Sequence, residues 1–324
     1  MADDALRLGG LFVGLLVLTV LLGAAGAAGG GGSAPTVENL TVETFSSPDT
    51  VATVPEETGE VEMDARAEGE VVVVDASHGA DIDDAQLEPL VTTLTENGAK
   101  VQFISGERSE DFNASLRRAD AYVAFGAQSG YTSGELAAIE EFADAGGRVL
   151  LLKEPAQSTS LGGLIIIGAP SGGGGVPAPM NELAGQFGIA YGNGYLYDMA
   201  SYDLNYRSVY GTPTGGALTE GVDRLVLHES TPVTGGDAVV RTSETAELSQ
   251  TRKQGEFDVA VRSENVVALG DSSVMSQDYY RRADNEVFVG NLLDFLVSGE
   301  KRPENAPQPT AENEPTRPVP RPPA

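Results

Sequence analysis

Apolar and polar positions follow two different rhythms along the middle of this chain. EVVVVD, residues 70–75, is an unbroken β-branched run between acids, which predicts a buried strand. Leu87, Leu90, Val91 and Leu94 then recur at i, i+3, i+4 and i+7, the period of a helix facing a core. Pro89 places the start of its regular part shortly before, and Asn97-Gly98 ends it. KVQFIS predicts a second strand and DAYVAFG, after a short helical stretch, a third. Thr132 and Glu135 have the spacing of a capping box; Leu136, Ile139 and Phe142 follow on one face, and Gly146-Gly147 stop that helix. RVLLLKEP is a fourth strand. Strands separated by helices of about a dozen residues imply right-handed crossovers, hence an α/β domain with a mostly parallel sheet covered on both faces.

The second half is less regular. LGGLIIIGAPSGGGG reads as a strand or a mobile excursion. Met180, Leu183, Ala184 and Phe187 mark a short helix. Tyr191, Tyr195, Tyr197, Tyr202, Tyr206 and Tyr210 fall in what looks like an inserted loop or hairpin. RLVLHES and FDVAVRSENVVALGDSS supply further strands, and Phe288, Leu292, Phe295 and Leu296 place the last helix against the core.

The ends read differently. Residues 8–28 carry no charge and are long enough to cross a bilayer as a helix, with Arg7 as a weak positive flank. An uncleaved anchor is favoured over a cleaved signal because the stretch is long for a signal peptide, although Ala25, Gly26, Ala27 and Ala28 would suit a peptidase. Residues 29–69 open with GGGGS and turn acidic without apolar periodicity, as a solvated stalk does. The folded unit spans 70–299, and the Pro-rich residues 300–324 form a disordered tail. Asn39 and Asn113 match the N-glycosylation triplet. These features place the main domain outside the cytoplasm on a single-pass anchor.

Composition sharpens the setting. The chain holds 48 Asp+Glu against 20 Lys+Arg, a formal charge of −28, and only four lysines: Lys100, Lys153, Lys253 and Lys301. Scarce lysine and 6% aromatic residues beside this acid excess point to a halophilic protein, whose self-repulsion dense salt screens. No basic face exists to neutralise phosphates, so nucleic acid is not an expected partner. The absence of cysteine excludes disulfides, thiolate metal sites and cysteine nucleophiles.

In an open α/β sheet, ligands bind beyond the carboxyl ends of the strands. DASHG, KEP and GDSS sit at three such ends, which makes Asp75, Ser77, His78, Glu154, Asp271, Ser272 and Ser273 candidate ligand-binding residues along one rim. Gly270-Asp271-Ser272 is similar to the GDS block of GDSL-type esterases, with His78 as a base. Those enzymes carry the block first and the histidine last, the reverse of the order here, and no G-x-S-x-G elbow is present. Asp75, His78 and Asp271 are possible metal ligands, with Asp81, Asp83 and Asp84 close in sequence. The latter equally suit a helix start, and no metal-binding spacing appears. His228 reads as structural. The tyrosine-rich stretch either packs on its own domain or presents rings to a sugar or a protein.

DASHG after the first strand, the helix start at Tyr131–Glu135, GGRVLLL, and GDSS with ADNEVFVGNLLDFL together resemble an uncharacterised domain family of prokaryotic membrane-associated proteins. That family is similar to the class I glutamine amidotransferase-like fold and to the gliding-motility/intraflagellar-transport domain. The resemblance covers about residues 70–298. It implies a flavodoxin-like three-layer sandwich and a link to membrane transport or surface-assembly proteins. Amidotransferases need a cysteine at the turn that here reads Lys153-Glu154-Pro155, so glutamine hydrolysis by that route is excluded. The expected function is a non-catalytic, membrane-anchored domain that binds a ligand, a glycan for example, or a partner protein, without cofactor or metal. The alternative is a hydrolase using Ser272, or a metal near Asp75, His78 and Asp271.

Overall fold

The computed structural model describes residues 59–78, 84–105, 109–127, 129–153 and 179–301. All belong to one of the chain's two units, Glu57–Ala324. The expected membrane span at 8–28, most of the stalk, residues 161–175, Glu154 and the tail beyond Lys301 lie outside the described residues. Among the described residues no helix is long and apolar enough to cross a membrane.

The two rhythms become β1 (Val71–Asp75), α1 (Asp84–Glu96), β2 (Lys100–Ile104), α2 (Ser109–Arg118), β3 (Ala121–Phe125), α3 (Ser133–Asp144) and β4 (Arg148–Leu152). Next come α4 (Pro179–Gly185), β5 (Ala190–Tyr191), β6 (Leu196–Tyr197), β7 (Ser208–Pro213), β8 (Leu225–His228) and β9 (Val233–Thr234). The last described elements are β10 (Asp237–Thr242), β11 (Glu247–Leu248), β12 (Asp258–Ser263), β13 (Val266–Leu269) and α5 (Asn285–Val297). Nine strands form one sheet in the order β2-β1-β3-β4-β13-β12-β10-β7-β8.

The sheet is mixed, which corrects the expected flavodoxin-like, mostly parallel sandwich. The four pairings from β2 to β13 are parallel, and the four from β13 to β8 are antiparallel. The reason is connection length. Parallel neighbours need a crossover of a dozen residues or more, whereas β12 and β13 are joined by Glu264-Asn265 alone, and only an antiparallel hairpin closes over two residues. Glu264 takes φ 50° to make that turn, a left-handed conformation common in two-residue hairpins.

Alternate residues of each strand face opposite layers. Val72 and Val74 pack with Leu87, Leu90 and Leu94 of α1 and with Phe288, Leu292 and Leu296 of α5. Val73 packs on the other face with Phe112 and Leu116 of α2 and with Ile139 and Phe142 of α3. α3 starts on the expected capping box: the Thr132 side chain accepts the Glu135 N–H while Glu135 accepts the Thr132 N–H at 2.7 Å.

Residues 59–69, expected to belong to a free stalk, instead run along α1 and α5. Val61 and Met63 turn inward onto the core while Glu60, Glu62 and Asp64 point out, an alternation hidden by the acidic composition. Asp294 accepts the N–H groups of Asp64 (3.2 Å) and Ala65 (2.9 Å), and Arg281 donates to the Gly59 carbonyl at 3.2 Å. Gly290 lets this strap lie against α5, because a Cβ there would collide with the Glu62 carbonyl. Gly290→Ala is therefore expected to destabilise the domain by about 1–3 kcal/mol in urea unfolding and to open the strap to limited proteolysis. An unchanged unfolding midpoint would show that the strap does not matter to stability.

The sheet's two margins differ. Beyond β8, Asn285 accepts the Val226 N–H (3.0 Å) and donates to the Val226 carbonyl (2.8 Å), as a neighbouring strand would. Asp284 takes the N–H groups of Asp223 and Arg224, each at 2.9 Å, and Asp271 takes that of His228 at 2.7 Å. Beyond β2 no strand pairs among the described residues.

Candidate functional site

Strand β1 is followed by a helix on one face of the sheet and its neighbour β3 by a helix on the other. Such a reversal opens a crevice between the carboxyl ends of the two strands, where ligands of α/β proteins bind. DASHG lies there. Asp75 continues the parity of Val73 and enters the layer of α2 and α3, where its buried carboxylate gathers five donors. Oδ1 accepts the Ser77 N–H (2.9 Å) and hydroxyl (2.6 Å). Oδ2 meets His78 Nδ1 at 2.7 Å and accepts the hydroxyls of Tyr122 (2.5 Å) and Tyr131 (3.2 Å).

His78 is only 5% exposed. Its ring stacks on Tyr131 with centroids 3.8 Å apart, and Phe112 meets it edge-on at 6.0 Å. Its second nitrogen, Nε2, lies 3.5 Å from the Glu135 carboxylate, so one imidazole bridges two acids. Burial alone would lower the pKa of His78, but hydrogen bonds and charges from Asp75 and Glu135 outweigh it and raise the group to about 9. Burial likewise opposes ionisation of Asp75 and Glu135. The bonds from His78, with Ser77 and Tyr122 on Asp75 and Thr132 on Glu135, nonetheless hold both below the usual carboxylate range. At neutral pH the crevice thus holds a cation between two anions, with two neutral tyrosine hydroxyls beneath.

The structure separates Asp271, Ser272 and Ser273 from this cluster, and Glu154 lies outside the described residues. Asp271 and Ser272 follow β13, which runs parallel to β1 but lies three strand steps away, about 14 Å at the usual spacing. They share the rim with DASHG, yet the turn they start buries Val274 and Met275 in the opposite layer. The two turns thus share the expected rim but open on opposite faces of the sheet. Asp271 accepts the N–H groups of His228 and Ser273 (2.8 Å), which ties down a turn, and Ser272 is 1% exposed, far from His78. The expected pairing of Ser272 with His78 is not formed. Gly270 at this turn has no room for a side chain, because a Cβ would strike the Thr231 carbonyl. No group of three or more metal-binding side chains occurs among the described residues, and Asp75, His78 and Asp271 do not converge. His228 stacks on Tyr279 at 4.9 Å and bonds Ser208 at 3.0 Å; burial lowers its pKa, so it is the neutral histidine of the two. Asn113 is buried on α2, which leaves no room for a glycan there in the folded domain.

Sequence reasoning missed Tyr122 and the second role of Glu135. A tyrosine inside the otherwise apolar strand DAYVAFG was the available signal, since a buried phenol needs a partner. Glu135 was legible only as a cap.

No curated protein matches the sequence. Among solved structures the fold is similar to the mmIFT52 N-terminal domain, at 14% identity and a TM-score of 0.53, over 71% of this chain and 98% of that one. A ThuA-like protein from Parabacteroides merdae ATCC 43184 aligns at 10% identity over 74% of this chain and 100% of that one, with a TM-score of 0.42, too slight to weigh. The intraflagellar-transport side of the expected resemblance is thus met at the level of fold, whereas its amidotransferase side finds no support. The family model described as "Domain of unknown function (DUF4350)" matches residues 85–293, most of the folded unit, and the chain belongs to that family.

Proposed function

We propose that this protein is a non-catalytic, membrane-anchored extracytoplasmic domain that binds a neutral polyhydroxyl ligand, a glycan, in the crevice between β1 and β3. The observation that carries the reading is the Asp75–His78–Glu135 arrangement at that crevice. A histidine held protonated near neutral pH cannot accept a proton as a general base, and the Ser77 hydroxyl, although its oxygen lies 3.1 Å from His78 Nδ1, donates to Asp75 at 2.6 Å. Partly open groups beside this pair suit recognition: Asp75 is buried and spent on its own five donors, while Glu135 and Ser77 at the rim are the polar groups that a ligand's hydroxyls would meet. Such a ligand also keeps its affinity at the high salt implied by the composition, because none of its contacts relies on long-range charge. Transport or surface-assembly proteins on the same membrane are the partners this placement favours.

The test is a glycan array probed with the full chain in detergent and molar NaCl. Saturable binding to a subset of glycans is expected, weakened roughly ten-fold by Glu135→Gln, since glutamine still caps α3 but loses the charge. A silent array overturns the glycan reading. Hydrolysis of p-nitrophenyl butyrate that disappears in His78→Ala would overturn the non-catalytic one.

A further inference from the structure

Four of the five large apolar side chains exposed among the described residues lie on one loop: Met199 (67%), Tyr202 (42%), Leu204 (57%) and Tyr206 (39%). They are held outward by a rigid frame. Asp198 accepts the N–H groups of Ala200 (2.8 Å) and Ser201 (3.0 Å) and the hydroxyls of Ser243 and Thr245, each at 2.6 Å. Its own N–H donates to the Tyr206 carbonyl at 2.8 Å, and Tyr202 bridges to Val209. A loop so braced cannot fold its side chains back to hide them.

The loop's place in the fold says what covers it. It leads into β7, which begins beside the end of β8, at the same rim as the carboxyl ends of β1 and β13. Asp203 of the loop pairs with Arg282 at 3.7 Å, and the adjacent Arg281 holds Gly59, where the described chain begins. The loop and the start of the described chain are thus tied to two consecutive residues, Arg282 and Arg281. From the end of the apolar stretch 8–28 to Gly59 there are 30 residues, 29–58. Were those residues a flexible tether, their span would be about 30 Å, so on the anchored reading the loop would stay within a domain's width of the bilayer.

We propose that this loop docks on the lipid surface, inserting Met199 and Leu204 and leaving Tyr202 and Tyr206 at the headgroups. Tyrosine is the ring that settles at that level, its apolar body inside and its hydroxyl wet. Local charge permits it: Arg207 is paired with Glu229 and packed on the Tyr195 ring at 4.9 Å, and Asp203 is paired with Arg282. Exposed aliphatic side chains favour lipid over a sugar, which stacks on flat rings. Docking would turn the whole rim, including the β1–β3 crevice, toward the membrane. The inference rests on the anchored reading, and the experiment separates the two.

Because the sequence has no cysteine, Leu204→Cys and Glu300→Cys each offer a single labelling site in the full chain. Glu300 is exposed beyond the end of α5, at the opposite pole. Each variant carries an environment-sensitive fluorophore and is reconstituted into phosphatidylcholine vesicles with or without doxyl-labelled lipid. The label at 204 is expected to shift to the blue and lose roughly half its emission to the doxyl groups, while that at 300 does neither. On vesicles that also contain anionic phosphatidylglycerol, quenching should rise as NaCl goes from about 0.1 M to about 1 M and the Debye length falls from about 10 Å to about 3 Å, because salt screens the repulsion between the headgroups and an acidic domain. A chain that floats with the vesicles but leaves label 204 unquenched overturns docking and keeps the anchor. A blue shift that follows protein density without doxyl quenching assigns the loop to a protein contact and also overturns it. A chain that does not float removes the anchor, and docking with it.

Discussion

Alanine at Asp75 is expected to lower the free energy of unfolding by about 3–5 kcal/mol, the range for removing one partner of a buried ion pair. The loss is large because the carboxylate is the hub of the crevice. Without it, His78 is left as a buried cation with one carboxylate, Glu135 at 3.5 Å, and the Ser77 hydroxyl at 3.1 Å. Tyr122 and Tyr131 lose their acceptor and the turn at Ser77 loses its brace. The side chain's near-complete burial makes salt a weak remedy, so the deficit should persist in molar NaCl, where exposed pairs such as Arg66–Glu68 contribute nothing measurable. Urea unfolding at low and high salt measures it. A deficit below about 1 kcal/mol, the range of a single exposed contact, would mean that the hub is decoration.

Stability should also decline on the alkaline side, earlier than the chain's carboxylates would suggest. The pKa of His78 is raised from 6.5 to about 9 on folding, so its contribution is complete below pH 6.5 and disappears as pH rises through 9. The shift corresponds to about 3 kcal/mol at most, and the depressed pKa of Asp75 reports the same contact, so the two are not summed. On the acid side the signs reverse. Asp75 and Glu135, both lowered, contribute above the ordinary carboxylate range and lose that contribution only as pH falls through their folded values. Tyr122 and Tyr131, held well above 10 by burial and then by the nearby acidic groups, do not titrate in this window. Unfolding midpoints measured from pH 6 to pH 10 in His78→Gln and the parent chain isolate the effect. Parallel curves for the two would dismiss it.

How far the sequence led depends on which contacts were local. The strand at Val71–Asp75, the helix through Leu87, Leu90 and Leu94 and the cap at Thr132 were legible because each is decided by residues a few places apart. Asp75, Ser77 and His78 were recognised as a rim cluster for the same reason. The antiparallel half was not legible, because β10, β7 and β8 join the sheet through pairings of distant segments that no single period announces. Nor was the strap: Val61 and Met63 alternate with acids, and charge masked a period of two that only Asp294 and Gly290, some 230 residues away, give a partner. The separation of Asp271 from Asp75 onto opposite faces follows from strand parity, which the sequence displays, and from strand order, which it does not.

The side chains of Asp284, Asn285 and Asp271 along β8 carry a consequence for crowding. An endless cross-strand polymer needs two sticky margins per molecule, one to receive and one to give. Here one margin of the nine-stranded sheet is plugged by the protein's own carboxylates and amide, which leaves β2 as that sheet's open margin among the described residues. Strand-to-strand growth from the folded state therefore stops at a pair, even when molar salt has stripped this very acidic molecule of its mutual repulsion.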